Sequence, residues 1–428
     1  MDEVTPPRRA LSTASSSSAT QNIDCPDGGY GWVCVGCVFA INGFTWGVVA
    51  AYGVFLSYYL SQDYYPEAKA QDYAFVGGLN FGVAMVAAPL VTVLTRPRFM
   101  GTKPPMYAGA VFLLAGFVCA SFGTRIWHLY LSQGALVGLG VGFVYVPSIP
   151  IISQWFDQNR SLANGVSTAG SGIGGLLFSL ATGAMIERLG LPWTLRIIGC
   201  VSCCVNVLAT FCIMDRNTTI QPKQRPFDPK LLRQQSVLWL LGWAFVSMLG
   251  YITLLYSLSD FSLSINLDRA QATNITAFLN LGTAFGRPFI GVISDRLGRL
   301  EVASSLTFLC GLVCFALWIP AKTYPNIIVF AIISGAILGV FWVTIGPLCV
   351  EIAGLKQLPS LLALSWLSIV LPTTFSEVIA LHLKRPGYER EYLYTQLFCG
   401  VCYVLAGGCL LQARRTLKSI RSTVTGPE

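Results

Sequence analysis

An all-α membrane protein with about a dozen spanning helices is the fold class that this sequence predicts, and three observations lead to it. Of its 428 residues 54% are apolar and 11% charged, less than half the charged share of about 25% found in an ordinary soluble domain. The apolar residues gather into runs of the roughly 20 residues that a helix needs to cross a hydrocarbon core about 30 Å thick. Short clusters of charge and proline separate the runs. Their length and lack of strict alternation exclude a β-barrel.

Taken in order, the predicted spans cover 31–58, 73–94, 105–124, 128–152, 163–186, 193–214, 236–259, 273–293, 301–319, 325–350, 358–381 and 392–413. Residues 1–24 are polar, contain the run Ser15, Ser16, Ser17 and Ser18, and lack the apolar stretch and cleavage site of a signal peptide. They are expected to form a disordered tail, whose serines are either phosphorylation sites or plain low-complexity sequence. The segment 215–235 is basic and carries Pro222, Pro226 and Pro229, and it divides the spans six and six. This predicts a half over 25–214, a linker, a second half over 236–413 and a short tail over 414–428. A faint internal repeat agrees, since Arg96 and Arg296, and Pro147 and Pro347, recur 200 residues apart.

The net charge of +8 is scattered among loops, which argues against a nucleic-acid partner. With the N-terminus cytosolic, roughly 18 Lys and Arg fall inside and about 8 outside, as the positive-inside rule requires. Both termini are then cytosolic, and a monomer in the plasma membrane is expected, with membrane lipid around it. The 14 cysteines fall mostly within spans and read as small packing residues, the Cys34 and Cys37 pair included. His128 and His382 are the only histidines. No metal site, cofactor or nucleophile and base pair is expected, so the chain does not read as an enzyme. The sequons at Asn159 and Asn217 are cytosolic on this topology and Asn274 abuts a span, so none is a good glycosylation site.

Three motifs carry more information. Between spans eight and nine stands Gly291, Val292, Ile293, Ser294, Asp295, Arg296, Leu297, Gly298, Arg299. Its glycines permit a tight helix-to-helix turn, while Asp295, Arg296 and Arg299 can make charge-assisted contacts at a helix end and break them when two halves rock. It resembles the G-x-x-x-D-R-x-G-R loop of the major facilitator superfamily, where it acts as a conformational latch. The corresponding first-half loop, Thr95 to Lys103, keeps only basic residues and Gly101. Ahead of the first span, Asp27, Gly28, Gly29, Tyr30, Gly31 and Trp32 resemble the leading motif of the monocarboxylate transporter family. Trp155, Phe156, Arg160, Leu162, Ala163 and Gly165 resemble a second pattern of that family. Asp27 also fits a helix cap and Trp32 an interfacial anchor. The resemblance spans both halves and implies twelve helices, alternating access and a small organic solute.

Gly134, Gly138 and Gly142, then Gly170 and Gly174, are spaced for close helix packing in lipid. Gly170, Gly172 and Gly175 satisfy G-x-G-x-x-G, but without a preceding strand they do not make a dinucleotide site.

Arg287, followed by Pro288, falls in the middle of span eight. A charge there costs at least about 2.5 to 3.5 kcal/mol, so it is expected to face a polar cavity. With no acidic residue within one turn, its partner is either a solute carboxylate, held by the guanidinium fork, or backbone carbonyls or a distant Glu. The family resemblance implies the carboxylate. Two departures stand against the proton-coupled members. Their Asp four residues before this Arg is Thr283 here, and their first-span Lys falls near Ala50. That leaves proton coupling open and makes the chain more similar to the fungal branch, with its nutrient permeases and secondary-metabolite transporters.

Asn42, Asn80, Gln133, Asn206, Asn280, Ser365 and Glu377 are further polar residues within spans. Each fits interhelical hydrogen bonding as well as solute contact. The resemblance places Asn42, Asn80 and Asn280 in cavity-lining helices. Tyr145, Phe341 and Trp342 offer an aromatic wall for a partly apolar solute, and Glu377 is either a proton carrier or a solvated outer residue. The function expected is efflux of a small organic anion or acidic metabolite. Uptake of a monocarboxylate or a vitamin such as riboflavin, and a non-transporting nutrient sensor, are the alternatives.

Overall fold

The computed structural model describes residues 25–62, 64–225, 227–385, 387–388 and 390–425. The serine run and Pro226 lie outside these residues, as does the side chain of Glu377. Twelve long helices run in order: α1 (Tyr30–Tyr59), α2 (Ala70–Leu94), α3 (Lys103–Ala120), α4 (Ile126–Trp155), α5 (Arg160–Leu189) and α6 (Leu191–Cys212) in one half. The other half holds α7 (Gln235–Ser264), α8 (Arg269–Leu297), α9 (Arg299–Trp318), α10 (Tyr324–Ala353), α11 (Leu355–Leu383) and α12 (Leu393–Thr425). Helix is what lipid demands, because each segment must satisfy its own backbone N–H and C=O groups where water is absent.

Eleven of the helices are long and apolar enough to cross a bilayer, and α8 is the exception. Its 29 residues reach about 43 Å at 1.5 Å per residue, ample for a crossing. Its apolarity is diluted by Asn280, Thr283 and Arg287, all buried, and by the charges of its last turns, whereas Phe285 and Phe289 face outward. Polar groups turned inward and aromatic rings turned outward are the pattern of a spanning helix that lines an interior site. Its start is fixed by Asp268, which accepts from the Gln271 backbone N–H at 2.6 Å while Gln271 reaches back to the Asp268 N–H.

The start of α5 organises one end of the bundle. Asp27, expected to cap a helix, does so on a helix distant in sequence: its Oδ1 accepts from the N–H groups of Asp157 at 2.8 Å, Gln158 at 2.9 Å and Asn159 at 3.4 Å. Asp27 sits at a φ of 51° and Gly29 at 59°, a turn that returns the chain into α1. Trp32 packs edge-on against Phe156 with ring centres 5.1 Å apart. From the other half, Asp295 accepts from Ser161 N–H at 3.0 Å and Leu162 N–H at 2.8 Å. Two carboxylates therefore take the unpaired N–H groups and face the positive end of the dipole of a single helix. Replacing Asp27 with Ala is expected to cost about 0.5 to 2 kcal/mol. A lowered melting temperature in detergent would show it, with Asp27→Asn falling less because it keeps an oxygen acceptor.

The same end collects the basic loops. Arg96 Nε donates to the Gln224 carbonyl at 2.6 Å, and Lys223 N–H donates to the Lys356 carbonyl at 2.7 Å. The turn after α2, the segment between α6 and α7 and the start of α11 are thereby tied together. At the opposite end Lys384 pairs with Asp260 at 2.7 Å, and Tyr392 donates its hydroxyl to the same carboxylate. Burial, then Asp260, pushes the Tyr392 hydroxyl well above its ordinary pKa.

Close helix approach rests on glycine, as the spacing predicts. A Cβ at Gly138 or Gly142 would strike the α2 backbone at Asn80 or Ala84. One at Gly170 or Gly174 would strike α1 at Phe39 or Gly43. All 14 cysteines are free thiols.

Candidate functional site

Among the described residues three helices break partway along: α1 at Thr45 and again at Ala51, α10 at Gly339 and α11 at Ile369. A tryptophan lies within one turn of a break in each helix, namely Trp46, Trp342 and Trp366. Broken helices free backbone groups and widen the space between neighbours, and in transporters they mark where solute is held. The three indoles converge with Tyr145 of α4 and Tyr251 of α7. Trp46 meets Tyr145 at 5.3 Å and Trp342 at 5.8 Å between ring centres, and Trp342 stacks on Trp366 at 5.9 Å with planes 19° apart. Tyr145 touches Trp366 at 6.0 Å, and Tyr251 touches Trp342 at 6.1 Å. Phe341 backs this wall, 5.2 Å from Trp342 and 6.1 Å from Trp366.

Arg287 joins the cluster from α8. It is 4% exposed, and one guanidinium nitrogen donates to the Thr168 carbonyl and to Ser171 Oγ of α5, both at 2.6 Å. Its side chain lies against Gly339 of α10, three residues before Trp342. Among the described residues no carboxylate pairs with it. The α5–α8 seam makes this geometry possible. A Cβ at Gly165 would overlap the Arg287 carbonyl, and one at Gly339 would lie 2.7 Å from the Arg287 Cγ and Nε. Pro288 leaves the backbone one donor short beside it.

Several donors in this cluster are buried without an acceptor: Arg287 Nε and the Nε1 of Trp46 and Trp366. Trp342 Nε1 comes near the Tyr251 hydroxyl without a hydrogen bond of good geometry. Unpaired buried donors cost about 1 to 3 kcal/mol each, and they are uncommon in native proteins. Grouped around one cation, they form a lining that favours an oxygen-rich, negatively charged guest.

The structure thus brings together Arg287, Tyr145 and Trp342 from the residues singled out in sequence. It employs the three asparagines otherwise. Asn42 donates to the Val38 carbonyl of its own helix at 2.9 Å, and Asn80 donates to the Gln133 carbonyl of α4 at 3.0 Å with its own oxygen unpaired. Asn280 packs beneath Gly172 and Gly175 of α5. None of their hydrogen bonds reaches the cluster. Sequence reasoning passed over Trp46, Tyr251 and Trp366. Tryptophan at mid-span, away from the interfaces it prefers, was the signal that pointed to the first and last. Thr283 donates to the carbonyls of Leu279 and Gly335, and Ala50 lies against Gly175, so the two positions that depart from the proton-coupled pattern are filled by packing.

The residues expected to form a latch lie at the basic end. Gly291 lets α8 approach α5 so nearly that a Cβ would be 2.5 Å from the Ser161 carbonyl. Beside the Asp295 bonds to α5, Arg299 pairs with Asp295 at 3.3 Å and donates to the Asp157 carbonyl at 2.5 Å. Gly298, at a φ of 102°, makes the turn into α9, which a residue with a side chain would resist. Arg296 corrects the sequence expectation. It stands exposed and makes no such contact among the described residues, because it follows Asp295 by one position in the last turn of α8 and so points about 100° away from the face that meets α5. In the first-half loop, Arg96 holds the segment between the halves.

Comparison with known proteins decides the family. The profile of the Major Facilitator Superfamily matches residues 35–374, most of the chain. The chain belongs to the major facilitator superfamily. Among relatives, the probable transporter MCH2 of Saccharomyces cerevisiae is 34% identical over 89% of this chain and 82% of its own length. The uncharacterized transporter ESBP6 of the same yeast is 35% identical over 89% of this chain and 58% of its own length. The fujikurins efflux protein of Gibberella fujikuroi is 27% identical over 95% of this chain and 88% of its own. This facilitator is accordingly a multi-pass membrane transporter of fungal type, not an enzyme. Residues 291–299 and the aromatic cluster with Arg287 both lie inside the matched stretch.

Proposed function

We propose that this transporter moves a small organic anion by alternating access, with Arg287 as the anion ligand and the surrounding indole and tyrosine side chains as the wall of the site. The observation that carries the reading is a buried guanidinium bonded only to neutral oxygens, Thr168 O and Ser171 Oγ. Its charge remains to be balanced, and a solute carboxylate does so bidentately. Five aromatic side chains suit a partly apolar acid better than a very small one. Efflux of an acidic metabolite is the direction we favour, supported by the name of the fujikurins efflux protein. The basic end, with both termini, faces the cytosol of the plasma membrane, following the positive-inside rule. Residues 215–235 link the two halves, and closure of the Asp295 latch marks the state shut toward the cytosol.

Thr283 and Ala50 carry no titratable side chain where the proton-coupled pattern has an Asp and a Lys. The anion then crosses without a compensating proton, and transport carries charge. Purified protein in liposomes, given labelled aromatic carboxylic acids and their uncharged amides, tests this. The expected result is movement of acids only, at a rate set by membrane potential, where one charge across 100 mV is worth about 2.3 kcal/mol, and unchanged by a pH gradient. Equal movement of acid and amide would sink the proposal.

A further inference from the structure

At the basic end, away from the aromatic cluster, a cavity of about 570 Å³ is walled by Arg96, Lys223, Arg225, Lys230, Asp228 and Gln357, among others. Its size falls within the usual range of small-molecule sites, about 300 to 1,000 Å³. The walls come from three places: the turn after α2 in the first half, the segment joining the halves, and the start of α11 in the second. The joining segment is held by its backbone. Arg225 N–H donates to Ser360 Oγ at 3.0 Å, Ser360 donates on to the Lys223 carbonyl at 2.5 Å, and Arg96 grips the Gln224 carbonyl.

The charged ends of that segment are left for something else. Lys223, Arg225 and Lys230 are exposed and form no ion pair among the described residues. Asp228, the carboxylate in the wall, is buried and committed to its own turn, accepting from Lys230 N–H at 3.1 Å. Four cations facing one cavity repel one another, and a multiply charged anion relieves that repulsion. The wall also holds the Gln224 amide, 7% exposed, with its oxygen unpaired. An acceptor among cations calls for a guest that brings hydroxyl donors as well as negative oxygens. Phosphate esters of polyols have both, whereas a bare carboxylate has only the second. Phe227, next to Asp228 in the chain, is 58% exposed and fits a lipid surface as well as water.

We propose that this cavity binds a phosphorylated polyol, either free or as a lipid headgroup, and that its occupation holds the basic end shut. The second clause rests on the alternating-access reading: walls drawn from both halves come apart when that end opens, so a ligand bound between them favours the closed state.

Binding is measured on the full chain without reference to transport, which keeps the two readings separable. Inositol trisphosphate, which keeps free hydroxyls beside its phosphates, is titrated into detergent-purified protein. In a second arm the protein is placed in phosphatidylcholine vesicles with and without phosphatidylinositol bisphosphate. The variant K223Q/R225Q/K230Q removes exposed side chains only, and R415Q/K418Q, at the end of α12, removes charge elsewhere. The expected result is a loss of at least about tenfold in affinity in the triple variant, with the α12 variant binding as wild type does. Binding in the first arm assigns a free ester and binding only in the second assigns the headgroup, and either supports the site. Equal binding by wild type and the triple variant, equal loss in the α12 variant, or no binding in either arm overturns it. For the second clause, saturating ligand slows solute flux in wild type and not in the triple variant, and equal flux with and without ligand overturns that clause alone.

Discussion

Arg287→Ala is expected to lower transport of the anion by about a hundredfold while leaving the protein folded. Truncating one side of a buried charged pair costs about 2 to 5 kcal/mol, and each 1.4 kcal/mol is a factor of about ten. A guanidinium that served only to pack the helices would behave in the opposite sense. Its removal takes an uncompensated charge out of a span, sparing about 2.5 to 3.5 kcal/mol of insertion cost. Little else is orphaned, because Ser171 already donates to the Thr168 carbonyl at 3.1 Å. The melting temperature should therefore hold or rise as flux collapses. Arg287→Lys keeps the charge but loses the planar fork, and an intermediate loss of about tenfold is expected. Initial rates in liposomes, normalised to folded protein, check both variants. Wild-type flux in Arg287→Ala would remove the anion-ligand role.

Asp295→Ala should open the basic end. The change strips acceptors from the Ser161 and Leu162 N–H groups and leaves Arg299 without its carboxylate. Hydrogen bonds to a charged group are worth about 1.5 to 3 kcal/mol, so a shift of about 2 kcal/mol is expected. Hydrogen exchange of residues 157–163, read by mass spectrometry, would then run roughly thirtyfold faster. Asp295→Asn keeps an oxygen acceptor and should lie between the two. Arg296→Ala should leave exchange unchanged, since that side chain is exposed and unbonded among the described residues. Equal exchange in wild type and Asp295→Ala would mean that this contact does not hold the two halves together.

The residues of the α8–α9 turn were legible in sequence because they are local: Gly291, Asp295, Gly298 and Arg299 lie within nine residues, and the glycine between the two helices lets Arg299 turn back to Asp295. What Asp295 grips was not legible. Its target begins at Ser161, 134 positions away, and helix starts look alike until they are packed. Asp27 teaches the same point, since it sits beside α1 in sequence yet caps α5. The central site was legible in part. A charge in mid-span announces itself by its insertion cost, which is how Arg287 stood out. Asparagines do not, because a polar amide in lipid is served equally by a neighbouring carbonyl, and Asn42 and Asn80 took that course.

By itself the sequence determined the solvent and the class: an apolar chain with sparse charge folds as helices across a bilayer, because no other arrangement satisfies both side chains and backbone there. It also determined that one cation would lie buried among them. Only the tertiary structure decided what surrounds that cation. Helix breaks at Thr45, Gly339 and Ile369 lie beside three tryptophans that converge on Tyr145 and Tyr251, and glycine seams bring α5 and α8 near enough for Thr168 and Ser171 to hold Arg287. Such contacts depend on the rotation and register of whole helices, which are set by packing over their full length and leave no local mark in the chain.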